Sequence, residues 1–167
     1  MIKLESIHRQ GVGKEHTRSH LIQLLAAIIF FLIWFFDSFI FMFSTGLANY
    51  IHFIIRIIVC LSLSAIGLFL IFRTGHILFH REDIHSKLIK TGIFAHTRHP
   101  LYLGVLIIYL GLIILSVSLL SIIGFIIVFI SYNWIATFEE NDLEKRFNEE
   151  YLEYKKRVPK WIPSFRK

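Results

Sequence analysis

Two groups of polar residues flank an apolar stretch and carry the side chains that could do chemistry. The first is the run TGIFAHTRHPLYLG at 91–104. Arg98 and His99 supply hydrogen-bond donors, Tyr102 adds a hydroxyl and an aromatic face, and Pro100 suits the first turn of a helix because its missing N–H would be unpaired there. Free N–H groups at such a helix start favour an anionic group. The run therefore predicts either an anion-binding site or a basic membrane stop with a helix-capping proline.

The second group is the adjacent pair Glu139 and Glu140, at the other end of the apolar stretch. If the stretch folds as a tight hairpin, both carboxylates lie near Arg98 and His99, where they could bind a cation or pair with Arg98. The alternative is a solvated start to an amphipathic helix, because acidic side chains stabilise the positive end of the helix dipole. The pattern leaves both interpretations open.

A third set of residues could hold a metal ion. His76 and His80 are four residues apart on one predicted helix face, with Glu82 and His85 nearby, and that spacing can chelate. A membrane di-iron enzyme would need several such histidine clusters, and this sequence has one. We therefore expect no metal site and an interfacial helix instead. A glycine-rich dinucleotide loop, a P-loop and a Ser/His/Asp signature are also missing from the sequence.

The elements that position these residues are predicted to be membrane helices. Hydrophobic residues make up 55% of the 167 residues and the mean hydropathy is +0.62, too apolar for an ordinary soluble domain. Residues 21–43 and 51–72 are each long enough to cross a bilayer once. Residues 101–138 would extend about 57 Å as one helix, which suits two spans. The sequence thus predicts an all-α polytopic bundle of about four transmembrane helices.

The stretch 101–138 is predicted to break near Ser116–Ser121 and to form a helical hairpin. Small residues let membrane helices approach closely. We therefore expect Gly104, Gly111 and Gly124 to bring the two helices of this hairpin together.

The distribution of Lys and Arg predicts the orientation. With four spans, 17 of the 18 basic residues fall on one side, and Arg56 is the exception. The positive-inside rule makes that side cytosolic, with both termini there. The same rule accounts for the net charge of +6, so we expect no nucleic-acid partner. Arg56, five residues into the second span, either snorkels to the interface or partners Asp37 or a substrate group.

The carboxy-terminal part is predicted to be an amphipathic helix over 139–158. Its apolar residues recur at steps of four, four, three and four, which is one helix face: Leu143, Phe147, Tyr151, Tyr154 and Val158. Such a helix lies along the membrane surface or folds back under the bundle. Pro159 ends it, and Trp161 follows where interfacial aromatic residues anchor. Residues 1–20 are predicted to form a cytosolic arm or a short surface helix.

These residues resemble a known family. The run TGIFAHTRHPLYLG, the apolar hairpin and the segment EENDLEKRFNEEYLEYKKRVPKWIP are similar to the isoprenylcysteine carboxyl methyltransferase family, which belongs with phospholipid N-methyltransferases among integral-membrane methyltransferases. Three ordered features carry the resemblance: Arg-His-Pro-x-Tyr-x-Gly, the paired glutamates and Tyr-x-x-Tyr-x-x-x-Val-Pro. The likeness covers 87–163, whereas the two spans of 21–72 match only in being hydrophobic. Residues 73–167 are therefore interpreted as the methyltransferase-like region.

The resemblance implies that S-adenosylmethionine is the methyl donor and binds at the cytosolic end of the last two spans. It assigns the lining of the cofactor to Lys87, Leu88, Ile89 and Phe94, the last in place of the family's usual tyrosine. It assigns the methionine end to His99, Pro100 and Tyr102. Glu139, with Glu140 beside it, would hold an amine or ribose group, and Arg98 would brace the site. The donor carries a carboxylate, an ammonium and a sulfonium, and aromatic faces attract such cations.

Two departures from the family bear on the substrate. The prenylcysteine enzymes carry an arginine about one helical turn before the paired glutamates, to hold the substrate carboxylate, and residues 133–137 here contain none. Asn148 stands where the family usually has glycine, which we interpret as a change within a turn. The leading hypothesis is a methyltransferase whose lipophilic acceptor is a carboxylate such as prenylcysteine, an amine or a thiol. The alternatives are an NADPH-dependent membrane reductase of the sterol-reductase type and a non-enzymatic small membrane protein.

Overall fold

Helices form almost all of the part of the chain that the computed structural model describes, which is residues 12–79 and 88–164, with side chains over 18–78 and 88–164. Helix α1 (Val12–Phe35) continues into a π-helical turn, Phe36–Phe41. Helices α2 (Phe53–Phe79), α3 (Pro100–Ser116) and α4 (Leu119–Arg157) follow. Short 3₁₀ turns lie at Gly46–Tyr50 and Gly92–Ala95. Since these ranges contain no strand, the all-α prediction is confirmed.

Three segments are long and apolar enough to cross a membrane: Arg18–Phe41, Phe53–Leu78 and Leu119–Arg157. Helix α3 has 17 residues, and this length of about 26 Å is at the lower limit for a span. Many large apolar side chains on α1 and α2 are exposed, including Phe31, Leu61 and Phe69. Lipid is the environment in which such surfaces are stable. The chain is an integral membrane protein with three to four spanning helices.

The helices pair differently from the prediction. Helix α3 packs mainly on α2, and α4 packs mainly on α1. A Cβ atom at Gly104 would lie 2.6 Å from the carbonyl oxygen of Gly67 on α2, and one at Gly124 would lie 3.3 Å from the ring of Phe30 on α1. Gly111 likewise faces α2. The expectation that these glycines join the two hairpin helices is therefore wrong, because helices that are apolar all round do not reveal which neighbour each face contacts.

The predicted break in the hairpin is confirmed. Helix α3 ends at Ser116, and Val117 adopts a left-handed conformation with φ 52°. Ser118 then caps α4 by accepting a hydrogen bond from the Ser121 amide at 3.1 Å. The turn between the two helices is therefore short and is closed by its own hydroxyl groups.

Asp37 ties the end of α1 to this turn. Its carboxylate accepts hydrogen bonds from the Ser44 amide at 3.0 Å and from the Ser44 and Ser118 hydroxyls, each at 2.5 Å. Arg56 instead donates to the Leu115 carbonyl at 2.9 Å. The Asp37–Arg56 pair, one of the predicted alternatives, is therefore not formed.

The carboxy-terminal segment folds back along α4. Helix α4 continues unbroken past Glu139, so the predicted amphipathic helix does not begin as a separate helix at residue 139. It is interrupted at Asn148, whose φ of 44° and ψ of −121° are not helical. The chain turns back along α4 at this residue. After the turn, Tyr151, Tyr154 and Val158 form a buried cluster. The apolar stripe thus packs under the bundle, which was one of the two predicted positions.

Candidate active site

The start of α3 is fixed by contacts with the returning carboxy-terminal segment. The Arg98 amide donates to the Pro159 carbonyl at 3.0 Å, and the Thr97 hydroxyl donates to the Lys160 carbonyl at 2.9 Å. The Tyr154 hydroxyl donates to the Phe94 carbonyl at 2.6 Å. His99 is the cap residue of α3, and Pro100 opens its first turn as predicted. Two segments distant in sequence therefore hold the Arg-His-Pro run in place.

Glu140 is the centre of a buried charge network and is 4% exposed. Its Oε1 atom lies 3.1 Å from the Arg98 guanidinium and 3.0 Å from His99 Nε2. The Lys155 ammonium lies 3.9 Å from Oε2. The ion pair with Arg98 that the sequence left open is therefore formed, and it offsets the desolvation of the carboxylate.

Glu139 and Tyr102 face His99 from the other side. The Tyr102 hydroxyl donates to Glu139 Oε1, and His99 Nδ1 lies 3.7 Å from Glu139 Oε2. The rings of His99 and Tyr102 are nearly parallel, with centroids 5.7 Å apart. The imidazole thus lies between two carboxylates, and its hydrogen bond with Glu140 orients the ring.

Two adjoining cavities open beside this cluster. One of about 380 Å³ is lined by ten residues of 74–143 together with His20 and Gln23 of α1. The other, of about 150 Å³, lies between the 88–94 segment and the returning tail. Phe94, Arg98 and His99 line both cavities.

The structure brings together most of the residues predicted to bind a cofactor. Those that line one or both cavities are Leu88, Ile89, Phe94, Arg98, His99, Pro100, Tyr102 and Glu139. Glu140 lines neither and lies behind Arg98 and His99. Lys87 lies outside the described residues, so its assignment stays a prediction.

Two buried polar atoms at the smaller cavity lack a hydrogen-bond partner within the described part of the chain. They are Nε of Arg98 and the hydroxyl oxygen of Tyr151. Both residues line this cavity. Buried polar groups are normally paired, so such atoms indicate a ligand or an ordered water. Taken together, the two adjoining cavities offer the Arg98 guanidinium, the Glu139 carboxylate and aromatic faces, which suit an amphoteric small molecule.

Some residues at the site were not predicted to belong to it. Trp161 was expected to anchor at the membrane interface, but it is half-buried, its ring lies 6.0 Å from that of His99, and it donates to the Asn133 side chain at 3.2 Å. Tyr151 was predicted only as part of an apolar stripe. The motif Tyr-x-x-Tyr-x-x-x-Val-Pro was the available signal, because it marks the segment that returns to the site.

Lys160 occupies the turn of α4 that precedes the paired glutamates. Its ammonium donates to the Thr137 hydroxyl at 2.7 Å and to the Asn133 carbonyl at 3.2 Å. Burial lowers the pKa of Lys160 below its usual value of 10.5, although the charge of Glu140 opposes the change. This turn, which has no arginine in its sequence, therefore carries a cation supplied by the tail.

Within the described residues, no three His, Cys, Asp or Glu side chains come together as a group that could hold a metal ion. His80, Glu82 and His85 lie outside those residues. The expectation of an interfacial helix without metal over this segment stays a prediction.

Residues 43–150, more than half of the chain, match the family model described as phospholipid methyltransferase. This chain belongs to the phospholipid methyltransferase family. The match spans the Arg-His-Pro run and Glu139, which border the two cavities, and Glu140, which lies behind Arg98 and His99.

Individual relatives in this family are prenylcysteine enzymes. The chain is 33% identical over 89 residues to protein-S-isoprenylcysteine O-methyltransferase B of Arabidopsis thaliana, covering 53% of this chain and 45% of that protein. It is 34% identical over 92 residues to the Saccharomyces cerevisiae protein-S-isoprenylcysteine O-methyltransferase, and 33% over 90 residues to that of Schizosaccharomyces pombe. Each match covers 53% of this chain and 38% of the relative, so the matched segments span less than half of these relatives. No solved structure matches the chain.

Proposed function

We propose that this chain is an S-adenosylmethionine-dependent methyltransferase that methylates a lipophilic acceptor at the membrane. The observation that carries the proposal is the convergence of Arg98, His99, Tyr102 and Glu139 on one pair of cavities, under a family match that includes all four. The relatives found are methyltransferases, which favours neither the reductase nor the non-enzymatic alternative.

The residues around the two cavities suit this methyl donor. Arg98 Nε and the Tyr151 hydroxyl offer hydrogen bonds to carboxylate or ribose oxygens, and Glu139 can pair with an ammonium. Phe94 and Tyr102 provide aromatic faces for a sulfonium. When bound, the donor supplies a methyl group that passes to the acceptor while a neutral thioether leaves. Leu88, Ile89, Pro100 and, as a prediction, Lys87 would complete its lining.

Glu140 is proposed to act as a positioning residue. It touches Arg98 and His99 rather than the cavities, and it holds both side chains through charge-assisted contacts. Methyl transfer of this kind depends chiefly on holding donor and acceptor in line. A fixed His99 and Arg98 would therefore reduce the motion of the donor at the moment of reaction.

The proposed acceptor carries a carboxylate, and Lys160 is its proposed partner. Prenylcysteine is such an acceptor, and it is named in the relatives' activities. Lys160 holds its ammonium on Thr137 and Asn133, at the helical turn where the prenylcysteine enzymes carry arginine. The tail of this chain would thus supply the cation that α4 lacks.

The site is proposed to face the cytosol, with both termini on that side, in line with the distribution of basic residues. The region 73–167 would carry the catalytic groups. His20 and Gln23 also line the larger cavity, so α1 would provide one wall of the site as well as an anchor.

The direct test is transfer of a labelled methyl group from S-adenosylmethionine to a prenylcysteine by the purified protein in lipid nanodiscs. We expect turnover by the parent protein. His99→Ala should lower the rate by about 100-fold or more, which is the size of the rate loss when reacting groups are misplaced. An amine-bearing phospholipid is the comparison acceptor. Turnover of the amine alone would overturn the carboxylate assignment, and no turnover of either acceptor by protein that binds the donor would count against the acceptor class.

Lys160 gives a pH-dependent prediction. Only the protonated ammonium attracts a carboxylate, and burial lowers the pKa of Lys160. As the pH rises, Lys160 should therefore lose its proton at a lower pH than an ordinary lysine, and the KM for prenylcysteine should increase at that pH. Lys160→Arg should remove this rise, since arginine stays charged. Lys160→Met should raise KM several-fold with a smaller change in kcat, and the exposed Lys156→Met serves as control. An unchanged pH profile in Lys160→Arg would contradict the assignment.

A further inference from the structure

A third cavity lies at the opposite end of the bundle, away from the candidate active site. Its volume is about 480 Å³, and it is bordered by the π-helical end of α1, the 42–50 connection, the start of α2 and the end of α3. None of the residues assigned to methyl transfer lines it. The cavity therefore needs an explanation of its own.

Arg56 is the charged group of this cavity. Its guanidinium donates to the Leu115 carbonyl at 2.9 Å and lies 5.3 Å from the centre of the Phe53 ring. Its Nε atom is buried and has no partner among the described residues. No described carboxylate pairs with Arg56, because Asp37 is bound to Ser44 and Ser118. A partly buried guanidinium at membrane depth without a counter-ion is costly, and such residues mark ligand sites.

A second unpaired donor lies in the same wall. The Ser38 hydroxyl is buried without a hydrogen-bond partner in the described structure, and Ser38 lines the cavity. It belongs to the π-helical turn Phe36–Phe41. Such irregular turns are frequent at functional sites. The hydroxyl and the guanidinium together offer the donor set that phosphate oxygens accept.

The remaining walls indicate that the ligand is amphiphilic. Trp34, Phe39, Met42 and Phe53 contribute apolar and aromatic surface to the cavity. Met42 and the neighbouring Phe43 are also largely exposed on the outside, at 63% and 84%. Exposed apolar residues beside the cavity would contact acyl chains at the membrane boundary, whereas a free phosphate gains nothing from them.

We propose that this cavity binds the phosphate headgroup of an anionic phospholipid from the leaflet opposite the candidate active site. Arg56 would pair with the phosphate, Ser38 would donate to a second oxygen, and the aromatic wall would contact the glycerol and upper acyl carbons. The site does not depend on methyl transfer.

The test is binding of phosphatidylglycerol to the purified full chain in detergent, measured by native mass spectrometry with inorganic phosphate as the second probe. We expect saturable lipid binding that Arg56→Met weakens by about tenfold or more, the scale of a lost charge-assisted contact. Arg73→Met, on the exposed other end of the same helix, is the matched control and should bind like the parent. Ser38→Ala should weaken binding by a smaller factor.

Three outcomes would overturn the proposal: equal weakening by Arg73→Met, parental affinity in Arg56→Met, or inorganic phosphate binding as tightly as the lipid. If Arg56→Met does not fold, Arg56→Lys tests the same contact, because it keeps the charge and loses the planar bidentate geometry. Parental affinity in that variant together with parental affinity in Ser38→Ala would likewise count against the site.

Discussion

Within the part of the chain that the structure describes, each end of the bundle buries one carboxylate, and the two are paired with different groups. At the candidate active site Glu140 is surrounded by Arg98, His99 and Lys155. At the opposite end Asp37 is 3% exposed, and its carboxylate accepts hydrogen bonds from neutral hydroxyl and amide groups, including those of Ser44 and Ser118. The first arrangement fixes cationic side chains that border a cavity, whereas the second closes the chain between α1 and the hairpin turn. Burial of a carboxylate therefore does not by itself mark a functional site; the partners do.

Replacing Glu140 should have the largest effect on stability. Glu140→Ala removes the carboxylate that pairs with Arg98 and with His99 Nε2. Breaking a buried pair from one side costs about 3–5 kcal/mol. The free energy of unfolding in detergent would measure the loss. The exposed Glu149→Ala is the control and should change it little. A loss for Glu140→Ala no greater than that of the control would contradict the described network.

Replacing Asp37 should cost less. The hydroxyls that Asp37→Ala leaves behind are neutral, and Ser118 already bonds to Ser121 at 2.7 Å, so part of the network can re-form. We expect a loss of about 1–3 kcal/mol, the scale of unsatisfied neutral groups. The same unfolding measurement gives the comparison directly. A loss equal to or greater than that of Glu140→Ala would remove the distinction between the two ends.

The smallest effect is expected at Asn148, where the chain turns back along α4, and it should be an increase in the free energy of unfolding. Asn148 has φ 44° and ψ −121°, a region that glycine occupies without strain and other residues do not. Asn148→Gly should therefore raise the free energy of unfolding by about 1 kcal/mol. Asn141→Gly, in regular helix on the same element, should lower it by a similar amount. Destabilisation by both substitutions would show that the reversal is not formed as described.

Much of this arrangement can be predicted from the sequence because it depends on local signals. Length and hydropathy give the helices, Pro100 gives the start of α3, and the serines at 116–121 give the hairpin break. The Arg-His-Pro run and the paired glutamates point to the candidate site, since charged groups beside an apolar stretch have few places to lie. The family's glycine position likewise points to the turn at Asn148.

The rest depends on choices between neighbours that a sequence of this kind does not specify. Gly104 and Gly124 indicate close contacts between helices. Because these helices are apolar all round, the sequence does not predict that Gly104 contacts α2 and Gly124 contacts α1. Glu139 and Glu140 point in directions about 100° apart because they are consecutive residues of one helix. Which of them faces the cavity depends on how α4 is rotated, and the sequence does not specify that rotation. Lys160 and Trp161 follow Pro159 in a segment without periodicity. The preceding Tyr-x-x-Tyr-x-x-x-Val-Pro motif marks the segment that returns to the site, but it does not indicate which side chains beyond Pro159 contact α4.

The central claim is that the Arg-His-Pro run and Glu139 form a site for the methyl donor. It is tested most directly by calorimetric binding of S-adenosylmethionine to the purified protein in detergent, with NADPH as the comparison ligand. We predict saturable binding of S-adenosylmethionine alone, weakened by about tenfold or more in Glu139→Ala and unchanged in Glu149→Ala. Binding of NADPH instead, or parental affinity for S-adenosylmethionine in folded Glu139→Ala, would contradict it.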